Sequence, residues 1–347
     1  VIDAILTDNC PSLGKGVPSP AIVGDADWHN SENAVRTPPC QLFATSMTPI
    51  GNFAMYICTL LTSPQNPNLE PALVESLRNA WGGGDAIWLA PDEAAEFALA
   101  DIPANRWDVW ADLQKMSVDL IVQPVVGRRK KMLLADMDST MIQQECIDEL
   151  GDEAGVGERV KDITARAMNG ELGFDGALRE RVGLLKGLSA DVIQKVLDTR
   201  ITLMPGGATL LATMKADGGH AALVSGGFTA FTQSVATKLG FDENRANTLI
   251  VEDGVLTGDV GMPILGKQAK IDALEQITAR LGISEEDVMA VGDGANDLGM
   301  LHRAGTGVAL HAKPSVAAEC DVRINYGDLT ALLYVQGYSR DEFAALN

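Results

Sequence analysis

The chain has 347 residues, 46% of them hydrophobic, and a formal net charge of -20 at pH 7. That length accommodates two or three domains with a real core, and the charge excludes the basic face needed for nucleic acid or for an anionic membrane surface. Five cysteines, Cys10, Cys40, Cys58, Cys146 and Cys320, are odd in number, widely spaced and without a CxxC pair. Reduced thiols in a cytoplasm are therefore expected, rather than a disulfide framework or a zinc site. No apolar run is long enough to span a bilayer, and the first residues lack the basic-then-apolar pattern of a signal peptide.

Residues 1–52 read as an irregular extension, with Pro11, Pro18, Pro20, Pro38, Pro39 and Pro49 scattered through them. Regular patterning starts near Met55, which makes Met55 the expected natural start. A small α/β module, ferredoxin-like in pattern, is predicted over 53–126. Its strands are Met55–Leu61, Ala86–Ala90 and Asp119–Gln123, and its helices Pro71–Ala80 and Trp107–Met116. Ligand binding and a packing or dimerisation role both stay open for this module. The basic stretch 127–131 is expected to be a solvated hinge.

Beyond it, apolar strands at Met132–Ala135, Ala221–Val224, Val288–Val291 and Gly307–Leu310 alternate with helices such as Phe228–Leu239 and Gln268–Leu281. Such alternation predicts a parallel, doubly wound, Rossmann-like α/β core. The stretch from Glu145 to Leu203 breaks the rhythm with helices at about 144–153, 156–168, 174–186 and 189–198. It reads as a helical bundle at 148–203, inserted after the first core strand and dividing a core of 131–147 and 204–337. Two short β patterns flank Asp253-Gly254 within Asn247–Val260, a hairpin signal.

Three loops carry chemistry. Asp136-Met137-Asp138-Ser139-Thr140 follows the first core strand, and carboxylates at i and i+2 leave a strand on one side. One can attack while the other handles protons, although a helix-capping loop explains the pattern equally well. Ser225-Gly226-Gly227 lies between a strand and a helix, where a hydroxyl and free N–H groups can hold an anion, or simply make a turn. Gly292-Asp293-Gly294-Ala295-Asn296-Asp297 follows a third strand, and its acids suit a hard cation or an Asx turn. Lys270 would not stand out alone.

Taken in order, acid–acid, Ser, Lys, Asp–Asp, with each loop after an apolar strand, the chain resembles the haloacid dehalogenase superfamily over residues 131–335. The helical insert matches that superfamily's cap. Closer wording resembles the phosphoserine phosphatase family: Asp136 to Thr140 with Glu145, Met168 with Phe174, Leu178 to Val182, Leu185-Lys186, Val224 to Phe228, and Val291 to Asp297. The resemblance implies Mg²⁺-dependent hydrolysis of O-phospho-L-serine, the last step of serine biosynthesis, through an aspartyl-phosphate on Asp136. It gives Asp138 the acid and base work. It gives Asp136, Asp138, Asp293 and Asp297 the metal, and Ser225, Gly226, Gly227, Lys270 and Asn296 the phosphoryl oxygens. In the cap it implies Glu145 for the substrate ammonium, Arg181 for the carboxylate, and Met168 and Phe174 as the apolar wall.

The cap is expected to open and close, with Gly151, Gly155, Met204-Pro205 and Gly206-Gly207 as candidate hinges. Family members often carry an amino-acid-binding regulatory domain in the place of 53–126. The implied partner is a small-molecule substrate, with neither nucleic acid nor membrane, and a homodimer is compatible with it. Rival readings are a same-fold phosphatase or phosphotransferase acting on another small phosphate such as phosphohomoserine, a binding or regulatory protein that uses an inactive phosphatase fold, and an amino-acid-binding regulatory role of the 53–126 module, which could coexist with catalysis. The first would lack the Glu145–Arg181 pair and the second Asp136 or Asp138; all four are present.

Overall fold

The computed structural model describes residues 55–168 and 171–345. The extension expected over 1–52 lies outside the described residues. The first sheet is built from β1 (Tyr56–Leu61), α1 (Pro71–Ala80), β2 (Ile87–Ala90), β3 (Ala94–Leu99), α2 (Arg106–Gln114) and β4 (Asp119–Pro124). Its antiparallel order is β2-β3-β1-β4, the ferredoxin-like arrangement. The sequence reading lacks β3, because Ala-Ala-Glu-Phe-Ala-Leu favours a helix by propensity. Pairing against β1, from Tyr56 opposite Leu99 to Leu61 opposite Ala94, overrides that preference.

One face of this sheet packs on its own helices through Leu73, Leu77, Val109 and Leu113. The other face, with Leu61, Leu89, Ala94 and Ile121, joins the main core beside Leu332 and Val335. Polar contacts register the junction. Asp119 accepts hydrogen bonds from the backbone N–H groups of Asn325, Tyr326 and Gly327 at 3.0, 2.9 and 3.0 Å. Gln123 Nε2 donates to Val335 O at 2.6 Å.

The stretch 127–131 is solvated in part, as expected, with Gly127, Arg129 and Lys131 exposed, but two of its arginines also tie it to the fold. Arg128 binds Glu96 by two hydrogen bonds, at 2.6 and 2.9 Å, and Glu96 is buried. The Arg129 guanidinium lies 3.9 Å from the centre of the Tyr338 ring.

The chain continues through β5 (Met132–Ala135), α3 (Cys146–Glu153), α4 (Gly157–Met168), α5 (Phe174–Gly183), α6 (Asp191–Thr199) and α7 (Gly207–Ala216). Next come β6 (His220–Phe228), α8 (Thr229–Leu239), β7 (Glu243–Asn247), β8 (Leu249–Glu252) and β9 (Val255–Val260). The last elements are α9 (Lys267–Leu281), β10 (Val288–Gly292), α10 (Leu298–Arg303), β11 (Thr306–Leu310), α11 (Pro314–Ala317), β12 (Val322–Ile324) and α12 (Ala331–Val335). The second sheet has the order β12-β11-β10-β5-β6-β7, and every pairing in it is parallel. This is the expected doubly wound core, with its switch point between β5 and β10. Both faces of β5 are buried: Leu133 and Ala135 belong to the same core as Phe231 and Leu332, and Met132 and Leu134 to the core that holds Leu274 and Ile277. That accounts for its unbroken apolar run.

The β8–β9 hairpin, expected at Asp253-Gly254, also reaches the helical insert. Gly187 N donates to Leu256 O, Leu256 N to Leu188 O, and Ala190 N to Gly254 O, each at 2.8 Å. Among the described residues no helix is long and apolar enough to cross a membrane. Cys58, Cys146 and Cys320 are free and buried.

Candidate active site

Asp136 leaves β5 still tied to the sheet, its N–H donating to Val291 O at 3.0 Å. One carboxylate oxygen accepts from Met137 N at 2.7 Å. The other lies 2.7 Å from Lys270 Nζ, which also bonds Asp297 Oδ1. Lys270 comes from the first turn of α9 and is 1% exposed; Asp136 and Asp297 are 5% and 0% exposed. Asp297 Oδ2 accepts from Gly294 N at 2.9 Å. Asp293 Oδ1 accepts from Thr140 Oγ1 at 3.2 Å.

Carboxylate oxygens of Asp136, Asp293 and Asp297 lie within 4.8 Å of one another. Three acids thus share one ammonium, an excess of negative charge that burial makes unfavourable. Loss of water first, then repulsion from Asp136, pushes Asp293 up to about 6. Burial alone would lower Lys270, but the charges of Asp136 and Asp297 outweigh it and hold the ammonium above its ordinary value. An all-oxygen cluster with surplus negative charge fits a hard divalent cation.

Asp138 is held from two sides. Cys146 N donates to Oδ1 at 2.9 Å and Ser225 Oγ donates to Oδ2 at 3.2 Å. Burial, followed by the nearby Glu145 charge, raises its carboxyl to about 7. Such a group is ready to give up a proton near neutrality.

The strand β6 runs to Phe228, past the end expected at Val224. Its pairing with β7 jumps from Val224–Arg245 to Phe228–Asn247, so Ser225, Gly226 and Gly227 form a bulge rather than the first turn of a helix. The Gly227 N–H is spent on Ser225 Oγ at 2.8 Å. What Gly227 supplies is room, since a Cβ there would stand 2.6 Å from Asp138 Oδ2.

A cavity of about 830 Å³ joins these groups to the helical insert. Asp136, Asp138, Glu145, Ser225, Gly226, Gly227, Asp293 and Asn296 line it from the core; Phe174 and Arg181 line it from the insert. Lys270 and Asp297 lie behind Asp136, outside the cavity wall. Glu145 precedes α3 and accepts from Ser139 Oγ at 2.7 Å. Arg181 donates to Ala177 O and to Thr164 Oγ1, both at 3.3 Å. Phe174 is 38% exposed. Met168 ends α4, and its side chain lies outside the described residues.

Sequence reasoning passes over two residues here. Thr140 is quoted within its motif without a task. Asn247 sits at the end of β7, donates to Gly226 O at 2.8 Å and Leu265 O at 3.0 Å, and accepts from Leu265 N at 2.7 Å. It ties the Ser225 bulge to the lead-in of α9. A lone Asn before a hairpin gives no local signal of that work.

A family model for haloacid dehalogenase-like hydrolases matches residues 133–302. The phosphoserine phosphatase of Archaeoglobus fulgidus is 42% identical over 226 residues, which are 65% of this chain and 65% of that one. The phosphoserine phosphatase of Streptomyces coelicolor is 37% identical over 300 residues, 84% of this chain and 73% of that one. Among solved structures, a phospho-aspartyl intermediate analogue of phosphoserine phosphatase is 45% identical and superposes with a TM-score of 0.56, covering 59% of this chain and 98% of its own.

Proposed function

The chain belongs to the haloacid dehalogenase-like hydrolase family, and we propose that it is a cytoplasmic phosphatase that hydrolyses O-phospho-L-serine to L-serine and inorganic phosphate with Mg²⁺. One observation carries the reading. A single cavity is lined by Asp136, Asp138 and Asp293 and also by Glu145 and Arg181. The first set suits a phosphoryl group with a cation, and the second suits an amino acid's ammonium and carboxylate.

In this reading the Asp136 carboxylate attacks phosphorus in line, and the bond from phosphorus to the serine oxygen breaks. Asp138 gives its proton to that oxygen as serine leaves. The Asp138 carboxylate then takes a proton from water. The water oxygen attacks the phosphorus of the aspartyl-phosphate, freeing phosphate and restoring Asp136. Lys270 holds Asp136 oriented and offsets its charge. Ser225 and the Gly226 N–H receive a phosphoryl oxygen, Asn296 adds an amide at the same wall, and Gly227 keeps the approach open. Phe174, with Met168, supplies an apolar wall. Mg²⁺, held by Asp136, Asp293, Asp297 and the Asp138 carbonyl, would neutralise the phosphate dianion against Asp136.

The test is phosphate release from O-phospho-L-serine and a panel of other esters with Mg²⁺. Asp136→Asn should lose turnover on all of them. Arg181→Ala should lose mainly the preference for phosphoserine. Faster turnover of an ester without the amino-acid group would overturn the substrate while leaving the aspartyl-phosphate chemistry in place.

A further inference from the structure

Arg181 is steered by a residue on another helix. Its guanidinium has five N–H donors. Nε donates to Ala177 O, one turn back on α5, and Nη1 donates to Thr164 Oγ1 on α4. Thr164 lines the same cavity as Arg181. Its own hydrogen is committed, because Thr164 Oγ1 donates to Val160 O at 3.0 Å. The oxygen therefore meets the guanidinium only as an acceptor.

The choice of a neutral partner has a chemical consequence. Among the described residues no carboxylate lies within ion-pair distance of Arg181; Asp148 and Glu145 act on it only from further away. A close carboxylate would fix the side chain but compete with an incoming carboxylate for its charge. A hydroxyl fixes the direction and leaves the charge, together with the remaining donors, for the ligand.

We propose that Thr164 is a specificity-positioning residue that aims Arg181 at the substrate carboxylate. The proposal rests on the phosphoserine reading and names a further residue of that same site. It is tested on the full chain with Mg²⁺, using O-phosphoserine beside O-phosphoethanolamine, which has the phosphate and ammonium but no carboxylate.

Thr164→Val keeps the shape and removes the hydroxyl. The expected result is a rise of about tenfold in KM for phosphoserine with kcat nearly unchanged, the scale of one hydrogen bond to a charged group. Turnover of phosphoethanolamine should move by less than about twofold, since a group that acts only through Arg181 has nothing to act on there. Thr164→Ser, which keeps the hydroxyl, should restore the KM. In an Arg181→Ala background, Thr164→Val should have no further effect. If Thr164→Val does not fold, Thr164→Ala takes its place in the same comparisons. Equal losses on both esters, an unchanged KM, or additive effects with Arg181→Ala would each overturn the proposal. Wild-type enzyme with no preference between the two esters would overturn the substrate reading itself, and it is read before any variant.

Discussion

Replacing Lys270 by Met tests the balance of charge behind the site. The Met side chain fills much of the same volume and removes the ammonium that touches both Asp136 and Asp297. All three residues are at most 5% exposed, so solvent screening offers little relief. Removing one partner of a buried ion pair typically destabilises by about 3–5 kcal/mol, a large share of an ordinary folding free energy of about 5–15 kcal/mol. The sign of the pH effect follows from the acids left behind. With the ammonium gone, the Asp297 carboxyl, already raised to about 7 by burial and the Asp136 charge, holds its proton more tightly still. The folded state then binds more protons, so stability falls as pH rises above the ordinary carboxylate value. Wild type carries a shallower slope of the same sign from Asp138, Asp293 and Asp297, whose folded values are raised to about 7, about 6 and about 7. Urea unfolding in EDTA from pH 5 to 8 should therefore show a deficit that is largest at pH 8 and shrinks toward pH 5. Mg²⁺, binding the folded carboxylates, should narrow it. A deficit below about 1 kcal/mol at pH 8 would refute the reasoning, as would one that does not change with pH.

Three further outcomes are expected. Gly227→Ala places a methyl group 2.6 Å from Asp138 Oδ2; Asp138 must shift, and kcat for phosphoserine should fall by about 100-fold while the melting temperature stays near wild type. In the proposed reaction Asp138 works as an acid when protonated, so the leaving-group step should slow as pH rises through about 7; the same scan with p-nitrophenyl phosphate, whose leaving group needs no proton, should be flat on that limb. Arg128→Ala leaves Glu96 buried without its guanidinium, and urea midpoints should report a loss of about 3 kcal/mol.

The parallel core is legible because its strands are short apolar runs separated by helices, and β5 and β10 are buried along their whole length. The site loops are legible because they end those strands at the sheet's switch point. What stays hidden depends on partners distant in sequence. The helix-like composition of β3 yields to strands on both sides of it. The bulge at Ser225–Gly227 is set by β7 and by Asn247, whose amide reaches both Gly226 and Leu265. The partners of Arg128 and Arg129 stay hidden because neither Glu96 nor Tyr338 is near them in the chain. Thr164 is silent for the same reason: its partner lies 17 residues on, in another helix.

The three backbone hydrogen bonds between Gly187–Ala190 and the β8–β9 hairpin give the helical insert a third anchorage besides its two covalent ends. A lid hung from two neighbouring strands of chain swings like a door, whereas one pinned at a third point must either break that pin or drag it along. The hairpin's base is itself fastened through Asn247 to Gly226, at the cavity floor. Any excursion of the insert that keeps its bonds would therefore be transmitted to the bulge that lines the cavity. Breathing of the roof and strain on the floor become one mechanical coordinate.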